Sequence, residues 1–387
     1  MSTVLFNTLD LALLFTIYQC LLFAFFLLVI KKGKKQSNTL LALFLLSYAA
    51  IPLDTLINFG EEFRQFAINF SANIFYVFGL AYWLEAVFLL FYVRSLIYKN
   101  FNFTKTDLLY LLPLFLYLIY ETNGWYMLDM NTKQAILAGY QIEAEPAYTR
   151  FVNLFRECFR TFCGVLCLLE VRQYQKRIKE NLADIEEVDL TWLKILTIGF
   201  LIIKVQAVLI TLGYMTAIDL SFTIDYGVIG QLSNFMVVLL ISLLIFFSLR
   251  TSKIFYGVDN PRVLSQEKPN ITAEQVNHLT LYMTTQKPFL EPLLNLDSLA
   301  AKTDLPSRQL SRVINRHFQK NFFEFINGYR IDEAKKLLAN EKYEKVTIIE
   351  IMAQVGFNSK ATFNTFFKKL VGVTPSQYRK EQLKKHQ

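Results

Sequence analysis

The stretch from Val346 to Tyr378, VTIIEIMAQVGFNSKATFNTFFKKLVGVTPSQY, admits few folds. Ile348, Ile351, Met352 and Val355 recur at helical spacing, Gly356 ends that period, and Phe363, Phe366, Phe367 and Leu370 restart it after an Asn-Ser turn. Two short helices across a tight turn each bury one face. The resulting helix-turn-helix leaves Lys360, Ala361, Asn364, Thr365 and Lys368 on the other face of the second helix, free to enter a major groove. A single hairpin of this kind is a weak signal, but this one is repeated upstream. Leu296, Leu299, Ala300, Leu305, Leu310 and Val313 follow the order and spacing of Ile348, Ile351, Met352, Phe357, Phe363 and Phe366, except that the second turn is one residue longer.

On these residues the tail resembles the DNA-binding domain of the AraC/XylS transcription regulators. The family's signature is matched by Ile351, Gly356, Phe357, Ser359, Phe363, Phe367, Lys368, Gly372, Thr374, Pro375 and Tyr378. FINGYRIDEAKKLL, within Asn321 to Ala339, is similar to its joining helix. The resemblance covers residues 271 to 385. It departs at Met352, where the family usually has alanine, and at Pro306, where the first reading helix often opens with serine. Methionine fills core gaps adaptably and proline is tolerated in a first helical turn. The resemblance implies two helix-turn-helix units joined by a long helix, with base-reading positions flanking the first core residue of each recognition helix by two. These are Arg308 and Arg312 around Leu310, and Ala361 and Thr365 around Phe363. With Ser311, Asn364, Lys360, Lys368 and Lys369 they make up the expected DNA contacts. Arginine bonds guanine bidentately whereas alanine and threonine offer mainly methyl contacts, so the first unit is expected to supply most of the hydrogen-bonded specificity.

The rest of the chain has a different character. Residues 271–387 carry 18 Lys and Arg against 11 Asp and Glu, leaving 22 against 21 for residues 1–270, so the net charge of +8 sits almost entirely in the tail. A basic module suits phosphate neutralisation. The near-neutral remainder, in a chain with 53% hydrophobic residues and a mean hydropathy of +0.32, points to lipid. Leu9 to Ile30 is an apolar run of bilayer length followed by Lys31, Lys32, Lys34 and Lys35, with no Lys or Arg before it, which reads as a retained first span rather than a cleaved signal. Further spans are expected at 38–57, 72–97, 107–120, 148–171, 191–213 and 226–249, making seven.

With the N-terminus outside, thirteen Lys and Arg fall on the inner side, Arg94, Lys99, Lys105 and Lys253 among them. Only Arg64 and Lys133 fall outside, with Arg150 at a boundary. This delivers the tail to the cytoplasm. Residues 251–270, with Pro261 and Pro269, read as a tether, and Ile271 to Thr285 as an amphipathic helix packing on the tail. The outer loop Glu121 to Ala147 is either a lid or a solvated connection.

Catalytic motifs are missing: there is no zincin, Walker or dinucleotide pattern, and His278, His317 and His386 all lie in the tail. No cofactor or metal is expected, and Cys20, Cys158, Cys163 and Cys167 read as small buried apolar residues. Five charges at membrane depth stand out: Glu85, Arg156, Glu157, Arg160 and Lys204. Each costs about 2.5–3.5 kcal/mol at mid-bilayer, so they should turn inward, either as interhelical staples or as a cavity for an anionic or zwitterionic small molecule. The expectation is an all-α protein, a seven-helix transmembrane bundle (1–250), a linker (251–270) and a cytoplasmic domain with two helix-turn-helix units (271–387). It reads as a DNA-binding transcription regulator in the bacterial inner membrane, not an enzyme. A transporter or membrane enzyme with an autoregulatory tail is the alternative. Double-stranded DNA and the bilayer are the expected partners, with a second copy on DNA, RNA polymerase and a small-molecule ligand as further candidates.

Overall fold

The computed structural model describes residues 8–29, 34–98, 101–139, 147–185, 191–220, 227–250 and 272–384. Among them the chain is mainly helical, and an isolated bridge, Leu182–Asn295, lies outside the helices. The expected linker 251–270, and Lys31, Lys32, Lys99, Lys253 and His386, lie outside the described residues. The chain divides into two compact units. One comprises Met1–Arg172 and Leu190–Asn260, the other Gln173–Asp189 and Pro261–Gln387. The second unit therefore includes a segment that the sequence reading assigns to the first.

In the first unit the helices are α1 (Thr8–Val29), α2 (Lys35–Phe59), α3 (Glu61–Phe70), α4 (Ala81–Ile97), α5 (Leu112–Glu121), α6 (Met130–Leu137), most of α7 (Ala147–Asn181), α8 (Thr191–Leu220) and α9 (Gly227–Arg250). α2 packs on α1 and α4, and α9 packs on α1 and α8. Four helices among the described residues are long and apolar enough to cross a membrane, not seven: Asp10–Val29, Lys35–Phe59, Ala72–Ile97 and Thr191–Ala217. The expected span at 107–120 begins as a 3-10 turn, Lys105–Leu111, and leaves α5 only ten residues where about 20 are needed. The expected span at 148–171 lies in α7, but Arg150, Arg156, Glu157, Arg160 and Glu170 interrupt its apolar character. In the last one, the apolar stretch Leu232–Phe247 is short.

Polar contacts explain several charges that the loop count treats as free. Arg94 is buried and donates to Asp107 and Glu170, each at 3.0 Å. Lys133 is also buried and donates to Asn73 Oδ1 at 2.9 Å. Trp125 and Tyr126 bond the carbonyls of Ala72 and Phe75, so residues 121–137 form a packed cap rather than a solvated connection. Cys20, Cys163 and Cys167 are buried as expected, but Cys158 is exposed.

The second unit is built on α13 (Phe322–Ala339), capped by Asn321. Phe322, Phe325 and Ile326 join one core with α10 (Ala273–Thr285), α11 (Leu296–Lys302) and α12 (Ser307–Arg312). Phe323, Ile331, Ala334 and Leu338 join another with α14 (Ile348–Gln354), α15 (Lys360–Val371) and Tyr378 of α16 (Pro375–Lys384). A helix that is buried on two faces can serve as the common wall of two small domains.

The repeat extends into the backbone. Asn295 and Thr347 cap α11 and α14 with reciprocal bonds to Ser298 and Glu350. Asp304, with φ +53°, stands at the position of Gly356, with φ +91°. Gln319, with φ +53°, stands at that of Gly372, with φ +87°. Asn321 starts α13 as Thr374 starts α16. Each half is thus three helices punctuated by the same left-handed turns.

Gly356 carries more than a turn, because a Cβ there would meet the carbonyl oxygens of Phe289 and Leu290 at 2.7 and 2.8 Å, whereas one at Gly372 would meet open space. Gly372→Ala should therefore cost only the left-handed strain, about 1–2 kcal/mol, and Gly356→Ala clearly more. The two melting temperatures of the DNA-binding unit should separate in that order, and equal losses would show that the close approach at Gly356 is immaterial.

Candidate functional site

The second recognition helix, α15, begins at Ser359, whose Oγ accepts from the Thr362 N–H at 3.1 Å. Phe363, Phe366 and Phe367 turn into the core, while Lys360, Ala361, Asn364, Thr365, Lys368 and Lys369 are all exposed. This solvent face is continuous along the helix. Lys369 also pairs with Glu324 at 3.3 Å, and because both ends of the pair are exposed it holds Lys369 only weakly.

The first recognition helix is shorter. Pro306 precedes α12 with φ −58°, and without a side-chain cap there, Ser307 Oγ instead donates to Asp297 at 2.7 Å. Leu310 and Val313 are buried, Arg308 is exposed, and Ser311 and Arg312 are half-buried. Ser311 Oγ accepts from Asn315 at 3.2 Å. The expected contacts thus lie on one exposed face per unit, with Arg308 the most accessible donor of the first.

Three features are not evident from the helical pattern. Arg330 is 1% exposed; its Nε donates to the Phe289 carbonyl at 2.7 Å and its Nη2 to that of Glu291 at 2.7 Å. Its guanidinium also lies 5.5 Å from the Phe357 ring, so one side chain of the joining helix touches both halves. Burial pushes this guanidinium down to about 10, against the pull of Asp184, which leaves it charged at neutral pH. Second, Asn327 accepts from Arg330 at 3.3 Å and donates to the Ala183 carbonyl at 3.1 Å. Third, the chain after α7 is part of this unit. Ala183 N–H donates to the Leu294 carbonyl at 3.2 Å, Ala183 is buried in the first core, and Ile185 packs on the second. No signal in the sequence marks them, because Asn327 and Arg330 read as ordinary polar residues of an amphipathic helix until burial obliges them to find partners.

The five charges of the first unit form one chain of ion pairs. Glu85 on α4 accepts from Arg160 on α7 at 2.8 Å and from Lys204 on α8. Glu157 accepts from Arg160 at 2.6 Å and from Arg156 at 2.9 Å. Glu85 is fully buried, and Glu157, Arg160 and Lys204 are nearly so. The space beside Glu85, Arg160 and Lys204 is about 10 Å³, enough for one water and too small for an organic ligand. In this packing these three charges act on one another and tie three helices together.

Comparison with known proteins bears on the second unit. Residues 299–381 match the helix-turn-helix domain family. The chain is 31% identical over 87 residues to the HTH-type transcriptional regulator MtrA of Neisseria gonorrhoeae, covering 22% of this chain and 28% of that one. It is 31% identical over 88 residues to the Msm operon regulatory protein of Streptococcus mutans, covering 23% and 31%. It is 29% identical over 104 residues to the probable transcription factor PqrA of Proteus vulgaris, covering 27% and 82%. The C-terminal domain of AraT, a response regulator from Geobacillus stearothermophilus, shares 31% identity, with 29% of this chain and 88% of that one covered and a TM-score of 0.25. The chain thus spans about a third or less of the length of the first two relatives. Its C-terminal part is an AraC-type helix-turn-helix DNA-binding domain.

The exposed faces separate two kinds of contact. Arg308→Ala should relax base preference at one operator position by about 1–3 kcal/mol, while Lys360→Ala and Lys368→Ala should weaken binding to all sequences alike and flatten the salt dependence. Titration of base-substituted duplexes at several salt concentrations distinguishes them. Uniform loss for Arg308→Ala would assign it to phosphate.

Proposed function

We propose that this chain is a transcription regulator held in a bacterial inner membrane, which couples a state of its first unit to occupancy of an operator by its second. The DNA-binding half of this reading is supported by the helix-turn-helix match and by the two exposed recognition faces. Its partner is double-stranded DNA, and the repeat of reading units favours an extended operator bound by one chain or by two. Recruitment of RNA polymerase follows if the effect is activation.

The membrane half is supported by the exterior of the first unit. Leu11, Phe15, Tyr18, Leu22 and Phe25 make an exposed stripe on α1, and Phe151, Phe155, Phe162, Val165 and Leu169 make one on α7. Ile195, Ile202, Val205, Leu209 and Leu212 continue it on α8, and Leu112, Phe115, Leu116 and Ile119 on α5. In water this much apolar surface would drive aggregation, since soluble monomers rarely expose patches above a few hundred Å². In lipid it is the ordinary exterior. Charges kept inside, as at Glu85, Arg160 and Lys204, complete that pattern.

The observation that carries the coupling is α7. It is one helix from Ala147 to Asn181, its first part holds Glu157 and Arg160, and the residues just after it are bonded into the DNA-binding unit through Ala183. A shift or rotation of α7 would act along the chain on Ala183, whose carbonyl is hydrogen-bonded to Asn327 of the joining helix. A ligand that favoured one such position would change DNA affinity only by its preference between the two. The transporter or enzyme alternative finds no such observation in its favour.

Orientation is the most direct test. In a Cys158→Ser background, Asn131→Cys should react with a membrane-impermeant maleimide in intact spheroplasts, and Asn260→Cys only after lysis. Equal labelling of both before lysis, or the reverse order, would refute a cytoplasmic DNA-binding unit.

A further inference from the structure

One turn along α7 from Glu157 the helix faces a second cavity of about 400 Å³, within the range of small-molecule sites. Arg150, Asn153 and Arg156 line it from α7, spaced three residues apart and so on one face. Thr211 and Tyr214 line it from α8. Phe59, Ile210 and Met215 are the apolar residues among its described walls. No carboxylate is among the described lining residues, and each polar side chain among them can donate a hydrogen bond.

The arginine nearest the ion-pair chain is held in place. Arg156 Nε donates to Glu157 at 2.9 Å and its guanidinium lies 4.3 Å from the centroid of the Tyr82 ring. Those contacts fix the plane of the fork, and among the described residues its two terminal nitrogens have no hydrogen-bond partner. A fixed guanidinium with donors to spare is a bidentate receptor for a carboxylate or phosphate, and Arg150 adds a second positive charge at the same cavity.

We propose that this cavity is a binding site for a small amphiphilic anion, its carboxylate or phosphate oxygens taken by Arg156 and Arg150 and its apolar body lying against Phe59, Ile210 and Met215. The same head-and-tail chemistry occurs in a free organic acid and in an anionic phospholipid. Because Glu157 links Arg156 to Arg160, which bonds Glu85 beside Lys204, an anion on Arg156 competes for the charge that holds α4, α7 and α8 together. That its occupancy is the signal rests on the function proposed above; the site itself does not.

Binding is measured without DNA, on the full-length protein in phosphatidylcholine nanodiscs, by calorimetric titration with 4-phenylbutyrate and with its neutral amide. Saturable binding of the acid, at least about tenfold weaker for the amide and for Arg150→Gln or Arg156→Gln, is expected from the loss of a charge-assisted hydrogen bond. Ile210→Trp fills the cavity with both arginines in place and should abolish binding while the melting temperature holds, which separates loss of the site from loss of the fold. Phosphatidylglycerol in the disc should compete if the natural occupant is a lipid headgroup and leave the acid's affinity unchanged if it is a free acid. Absence of saturable binding, equal affinity for the amide, or indifference to all three substitutions would overturn the proposal. A binding failure leaves operator recognition untouched, so the two readings fall separately.

Discussion

The DNA-binding unit depends on one buried cation. Arg330 sits in the joining helix with its donors spent on the backbone carbonyls of Phe289, Glu291 and Pro292 and on Asn327. Those carbonyls belong to the turn that abuts Gly356 of the second helix-turn-helix, while the helix carrying Arg330 forms a wall of the first core. Replacing the arginine with an apolar residue would strand these acceptors, at about 1–3 kcal/mol each. The spacing of the two reading faces is therefore set by a polar interaction, and the apolar cores on either side take up positions around it.

The same side chain also fixes the segment that follows α7 within the second unit. Through Asn327 it reaches the Ala183 carbonyl, so the end of α7 is held by the residues that hold the two reading units together. A buried amide that must be satisfied makes this attachment specific in register, where a purely apolar contact could slide. α7, whose first part carries Arg156, Glu157 and Arg160, runs on in sequence into residues of the second unit.

The second unit was largely legible in the sequence because local chemistry determines it. The apolar period, the stop at Gly356 and the start of the joining helix at Asn321 each act within a few residues, and all lie where the pattern puts them. The left-handed turns at Asp304 and Gln319 were legible only by registering the repeat on Gly356 and Gly372, since neither residue demands φ > 0. What could not be read was tertiary: Asn327 and Arg330 look like ordinary polar residues of an amphipathic helix until their partners, at Ala183 and at Phe289, come together from distant sequence. Helices long and apolar enough to cross a membrane were legible at α1, α2, α4 and α8, where apolar residues run almost without interruption. The stretch 148–171 reads as a further span, but Arg150, Arg156, Glu157, Arg160 and Glu170 leave α7 without a long uncharged window, so it is not among the four. The ionic residues were identified as converging, but sequence could not measure the space among them, which is taken up by the side chains of Glu85, Arg160 and Lys204.

The central claim is that two reading units, clamped through Arg330, act on DNA as one body. Hydroxyl-radical footprinting of the full-length protein in nanodiscs on its operator tests this directly. Two protected segments about one helical turn apart, 10–10.5 base pairs, are predicted, because rigidly joined units enter successive major grooves on one side of the duplex. A single protected segment, or two whose spacing varies from site to site, would contradict it.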